Sequence, residues 1–139
     1  MSNSKQQMHD SGIRIYGTKT TGKCPTEEME QVTFINELKR LYPDYGAVVV
    51  HIKNEGKRTK QQAIRDKNAG LTTGACDIFI PCNPPFLCEL KRTNYHYKAQ
   101  PKQIEYMQNA EKIGAFVCIA LGYKGAMDAI EDYFRIYKK

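Results

Sequence analysis

No pair of cysteines in this 139-residue chain forms a CxxC motif, and the five cysteines, Cys24, Cys76, Cys82, Cys88 and Cys118, are odd in number. Neither a disulfide framework nor a structural zinc site is expected from that pattern. Cys76, Cys88 and Cys118 sit among apolar residues and are expected as small buried hydrophobes in a reducing compartment. A membrane span is also lacking. The longest apolar run, Gly114 to Gly122, falls far short of the roughly 20 residues a bilayer requires. The opening residues, MSNSKQQMHDSG, hold no apolar stretch of the secretory kind, so the expected location is the cytoplasm. Repeats and low-complexity segments are missing too. With 41% hydrophobic and 26% charged residues, the composition is that of one soluble domain around one core.

What the chain has is positive charge in two places. The net charge is +6. The segments Lys53 to Lys67 and Lys91 to Lys102 each carry four more basic than acidic residues. Together they exceed the total, so the remaining body is slightly acidic. Two basic patches on a near-neutral body suit a polyanion, most simply nucleic acid. The same charges would also suit solvated loops of a basic protein.

The pattern of the chain predicts an order of elements. Residues 1–24 are polar and glycine-bearing, and are expected as a flexible arm with a short strand at Ile13 to Tyr16. The domain is expected over residues 25–139. Thr26 can cap a helix running to about Leu41, with Glu27 and Glu28 in its first turn. Pro43 helps to end it. Gly46 to Ile52, Cys76 to Ile80 and Phe86 to Lys91 are expected as strands, with a helical turn around Gln61 to Lys67. Pro101 suits the first position of a helix ending at Gly114. Ala115 to Leu121 is apolar throughout, as a strand buried on both faces is. A last helix is expected from Gly125 to Tyr137. Helix, three strands, helix, strand, helix predicts a mixed four-stranded α/β sheet flanked by helices.

Within it, CDIFIPCNPPFLCELK (Cys76 to Lys91) places charge only at the tips of two apolar runs. A turn centred on Asn83 pairs Phe79 with Leu87 and Asp77 with Glu89. Opposed side chains lie roughly 4.5–5.5 Å apart on one sheet face. Alternation brings Lys91 to that face and leaves Ile78, Ile80, Phe86, Cys88 and Leu90 on the other. Two carboxylates that close repel unless a cation neutralises them. A hard divalent ion such as Mg²⁺ does so with oxygen ligands, and a plain salt-bridge cluster on Lys91 would do so as well. On the first helix, Val32, Phe34, Ile35, Leu38 and Leu41 form an apolar stripe, and Glu27 falls within roughly 20° of its centre. A glutamate in line with a core-facing stripe fits a place in the same acidic cluster, or the cap and dipole of its own helix. His51, in a β-branched strand, is expected to be packed or to donate a hydrogen bond behind the site.

These residues together resemble the PD-(D/E)xK nuclease motif, and more closely the VRR-NUC family, which has stand-alone members in phages and bacteria. The matching pieces are TEEMEQ (Thr26 to Gln31), HIKNEGKR (His51 to Arg58), AGLTTGACD (Ala69 to Asp77), LCELKR (Leu87 to Arg92), Gln103, and GAFVCIALGYKGAMDAIEDYF (Gly114 to Phe134). Two features depart from the family pattern. Cys76 stands where a proline usually precedes the motif aspartate, and Asn54-Glu55-Gly56 replaces a more glycine-rich loop. The resemblance implies a PD-(D/E)xK core of αβββαβα order. It implies Asp77, Glu89 and the main-chain carbonyl of Leu90 as ligands of Mg²⁺, with Mn²⁺ as substitute. Glu27 would complete the site through the metal or a water. Lys91 would position or activate the attacking water, with Gln103 supporting it. Lys53, Asn54, Lys57, Arg58, Lys60, Arg92, Lys98 and Lys102 would meet DNA. From the residues themselves, Tyr95, His96 and Tyr97 are candidates equally for stacking on DNA, for a subunit interface or for an ordinary loop. The implied activity is phosphodiester hydrolysis, as a homodimer on branched DNA such as a four-way junction. Flap, nicking or exonuclease activity on the same site, and a non-catalytic nucleic-acid-binding module, are the alternatives.

Overall fold

A computed structural model describes residues 7–8, 11–52, 61–62, 64–65, 75–95 and 100–138. Its elements are β1 (Gln7–Met8), β2 (Arg14–Tyr16), α1 (Glu27–Leu41), α2 (Pro43–Gly46), β3 (Val50–His51), β4 (Ile78–Ile80), β5 (Phe86–Lys91), α3 (Pro101–Lys112), β6 (Phe116–Leu121) and α4 (Gly122–Tyr137). They form one mixed sheet in the order β1-β2-β6-β5-β4-β3. β5 pairs parallel to β6 and antiparallel to β4. That parallel pair needs a crossover, which α3 supplies.

The β4–β5 register is the expected one, with Ile78 opposite Cys88, Phe79 opposite Leu87 and Ile80 opposite Phe86. Alternation then divides the sheet into two faces. Ile78, Ile80, Phe86, Cys88 and Leu90 join Phe34 and Leu38 of α1 and Ile130 and Tyr133 of α4 in the larger core. Phe86 and Phe116 stack at 5.5 Å inside it, and Tyr133 meets both rings edge-on. On the other face, Leu87, Val117 and Ile119 pack with Met107 and Ala110 of α3. Cys76, Cys88 and Cys118 are buried free thiols. Among the described residues, no helix is long and apolar enough to cross a membrane.

Five expectations need correction. The sheet has six strands rather than four, because the short strand expected within the arm joins it as β2 and β1 adds another. β2 lies parallel to β6, with Arg14 opposite Cys118. Ile13 is wholly buried beside it and Tyr16 almost so. The strand expected over Gly46 to Ile52 is only Val50–His51. Pro43 opens the short helix α2 instead of merely ending α1. Gly46 in that turn lies so close to α1 that a Cβ there would come within 2.6 Å of Lys39 Cα. The last helix begins at Gly122, not Gly125. Gly122 takes φ +75°, open to glycine without strain, and so turns β6 directly into α4. On α1, Val32 and Leu41 are half exposed, and the buried positions are Glu30, Gln31, Phe34 and Leu38.

If β2 belongs to the fold, Ile13→Ala should lower stability by about 2–4 kcal/mol, the usual cost of emptying a fully buried isoleucine site. Urea denaturation measures this directly. An unchanged midpoint would mean that residues 1–24 hang free of the domain.

Candidate active site

One end of the sheet gathers side chains from four elements. Asp77 immediately precedes β4 and lies one step beyond its last ladder pair, opposite Glu89 of β5. Its backbone N–H donates to Glu89 Oε1 at 3.2 Å. Its carbonyl accepts from Ile52 N at 2.7 Å. Both side chains are buried, Asp77 being 6% and Glu89 1% exposed. Lys91, two residues along β5, sets its Nζ 3.3 Å from Glu89 Oε2 and 3.3 Å from Glu27 Oε1. Its ammonium also lies 5.1 Å from the centre of the Tyr95 ring, a cation–π distance.

The two helices reach the site from their first turns. Thr26 caps α1, its Oγ1 accepting from Met29 N at 3.2 Å. That capped start presents Glu27 to Lys91. The α3 helix opens on Pro101, and two residues later Gln103 donates from Nε2 to Glu89 Oε2 at 2.6 Å. The other end of that amide, Gln103 Oε1, is buried with no hydrogen-bond partner.

Burial dominates the electrostatics. Desolvation, then the neighbouring Glu89 charge, push the Asp77 carboxyl up to about 8, with Lys91 pulling the other way. Burial likewise raises Glu89, against the lowering by Lys91 and by the hydrogen bonds from Asp77. For Lys91, burial alone would lower its affinity for the proton. Glu89, Glu27 and Asp77 outweigh it, so the ammonium holds its charge more firmly than usual. Three carboxylates face one ammonium, and the two deepest are the least comfortable as anions.

That imbalance is what a divalent cation would correct. Among the described residues, no group of three or more His, Cys, Asp or Glu side chains is arranged to hold a metal, and Glu27 is engaged with Lys91. The two buried carboxylates, Asp77 and Glu89, are the oxygen donors the structure brings together there. An all-oxygen set suits Mg²⁺ or Mn²⁺, and Mg²⁺ keeps several waters in any case. The unpartnered Gln103 Oε1 beside Glu89 supports the same fit, because a buried acceptor without a donor is costly and a hydrated ion offers donors.

Two residues of this end were not in the expected site. Gln31 donates from Nε2 to Asp77 Oδ2 at 3.1 Å, and its Oε1 lies 2.9 Å from His51 Nε2. The available signal was spacing: Gln31 follows Glu27 by four residues, on the same side of the helix. Glu30 was also missed, and serves a different end. Its Oε1 accepts from Tyr123 N at 3.3 Å, at the start of α4, where a carboxylate complements the dipole. Of the expected DNA contacts, Arg92 and Lys102 are exposed near the site. Lys53, Asn54, Lys57, Arg58, Lys60 and Lys98 lie outside the described residues, as do His96 and Tyr97.

Because the folded protein raises Asp77 above its ordinary value, it favours the protonated form. The stability tied to that proton is complete below about pH 4 and is lost as pH rises through about 8. Asp77→Asn removes the penalty. In EDTA it should melt several degrees above wild type at pH 8, on the order of 1–3 kcal/mol, with the gap closing toward pH 5. Melting curves at the two pH values check this.

No protein-family model matches the chain, and no curated protein matches it. A solved structure described as a "VRR_NUC domain protein" superposes with a TM-score of 0.68, over 82% of this chain and 92% of that one, at 21% identity. At that identity the likeness is one of fold, and the mixed sheet with its flanking helices is the architecture of that VRR-NUC domain protein.

Proposed function

We propose that this protein is a metal-dependent nuclease that hydrolyses phosphodiester bonds in DNA. The observation that carries the reading is the meeting of Asp77, Glu89 and Lys91 at the end of β4 and β5, with Glu27 and Gln103 brought to them by two helices. Asp77, Glu89 and the Leu90 carbonyl would hold Mg²⁺, or Mn²⁺ in its place. When bound, such an ion would supply charge relief on the phosphoryl oxygens and would lower the pKa of water beside it. The chain's own residues do the rest. Lys91 keeps a fixed positive charge beside the ligands and steadies the negative charge that develops on phosphate. Glu27, with its side chain 42% exposed, holds that ammonium from the solvent side and is open to an attacking water. Gln103 fixes the rotation of Glu89. The exposed Arg92 and Lys102 would take phosphates of the DNA.

The preferred substrate in this proposal is branched DNA, cut by a homodimer whose two-fold axis suits a symmetric four-way junction. The similarity of the sequence motifs to stand-alone VRR-NUC proteins supports that preference. The test is cleavage of labelled junction, flap and linear duplex with Mg²⁺, Mn²⁺ or EDTA. Cutting should require metal and fall at least about 100-fold in Glu89→Ala and Lys91→Ala. Paired nicks in the junction make it a resolvase, and cutting confined to flaps or ends moves the same site to another substrate. Binding without cutting in either metal would make the acidic cluster structural.

Arg92→Ala and Lys102→Ala should each weaken binding to all these DNAs alike. Each should also reduce the slope of log K against log salt concentration by about 1. Fluorescence anisotropy across a salt series measures both.

A further inference from the structure

Asp77 is held at three of its atoms. Glu89 takes its N–H, Ile52 donates to its carbonyl, and Gln31 donates to its Oδ2. The last of these controls the carboxylate itself. The final torsion of an aspartate is soft and nearly two-fold, so a fixed donor on one oxygen sets its rotation. Gln31 is 8% exposed, so an amide turned the wrong way would leave its polar ends poorly solvated. Its two ends differ chemically, one donating and one accepting. With Nε2 toward Asp77, Oε1 must find a donor, and His51 Nε2 stands 2.9 Å away. An imidazole carrying its proton on Nε2 accepts only this orientation. The flipped amide would set oxygen against oxygen at Asp77 and donor against donor at His51. His51 is itself placed by β3, where it pairs with Ile78, the residue after Asp77.

We infer that Gln31 is a positioning residue that orients Asp77 toward the divalent cation, and that His51 acts through it by locking the direction of its amide. The inference rests on the nuclease reading, since it gives Asp77 an ion to face. Outer hydrogen-bond partners of ligands typically change metal affinity 10- to 100-fold.

The test is Mn²⁺ binding by purified protein, read from the free-ion electron paramagnetic resonance signal, so that no turnover is needed. Gln31→Met keeps the length of the side chain and removes both hydrogen bonds. It should weaken Mn²⁺ about 10-fold or more. His51→Phe should weaken it less, and His51→Gln, which can still donate to the amide, should restore it. The double variant Gln31→Met/His51→Phe should bind no more weakly than Gln31→Met alone, because the two act in series. Circular dichroism in EDTA confirms that each variant folds, and the His51 pair carries the test if Gln31→Met does not. Binding by Gln31→Met within about twofold of wild type, losses that multiply in the double variant, or equal binding by His51→Phe and His51→Gln would overturn the inference and leave the nuclease reading intact. Wild-type protein that binds no Mn²⁺ and cuts no DNA would overturn both.

Discussion

The site depends on one constraint, the confinement of two carboxylates, Asp77 and Glu89, at the dry end of an antiparallel strand pair. Neither is 10% exposed. Buried like charges are among the costliest arrangements a small domain can hold. The surrounding groups are those that reduce the cost. Lys91 supplies the opposite charge, Gln103 and Gln31 donate hydrogen bonds, and the backbone N–H of Asp77 donates to Glu89. These leave the pair satisfied for hydrogen bonds and unsatisfied for charge. A fold stabilised by hydrophobic packing elsewhere can sustain such a place, and it is where a cation has most to offer.

The packing explains why the geometry holds. The carboxylates share a face with Lys91, while the residues alternating with them are buried against α1 and α4. A slip of one residue in the β4–β5 register would turn Ile78 and Cys88 outward and scatter the charged set. Stacking of Phe86 on Phe116 and the edge contacts of Tyr133 resist that slip from the core side. The α1 helix binds the assembly at three levels: Glu27 to Lys91, Gln31 to Asp77, and Glu30 to the N-terminus of α4. Gly122 makes the last possible, since a Cβ there would come within 2.9 Å of Glu30 Oε2. The N-terminal segment closes against the same end. Thr20 N donates to Thr93 O at 3.0 Å, and Asn94 Nδ2 donates to Gly22 O at 2.7 Å, in the turn that follows Lys91.

Much of this was legible in the chain. Centring the proline-rich turn on Asn83 gave the register of β4 and β5, and with it the approach of Asp77, Glu89 and Lys91. The helical wheel brought Glu27 toward the same place. Gln103 had no signal of its own beyond the family resemblance. The wheel erred at Val32 and Leu41 because it ranks residues by hydrophobicity. The side of α1 that faces inward near the site is lined instead by Glu30 and Gln31, polar groups that are buried because partners await them. β2 was expected as a short strand, but neither β1 nor the place of β2 in the sheet could be read from the chain. Two or three residues carry no period, and the pairing of β2 with β6 spans about a hundred positions of chain.

By itself, then, the sequence determined what local chemistry can encode: the helices, the hairpin register, and the carboxylate pair with its lysine. Each follows from side-chain periods of 2 or 3.6 and from caps and turns within a few residues. The tertiary structure alone decided which polar groups meet across elements. The link from His51 through Gln31 to Asp77 joins β3, α1 and the start of β4, and the N-terminal strand owes its place to the free edge of β6. Such contacts come from the docking of helices on a sheet, set by the volume of the whole core, which no window along the chain contains.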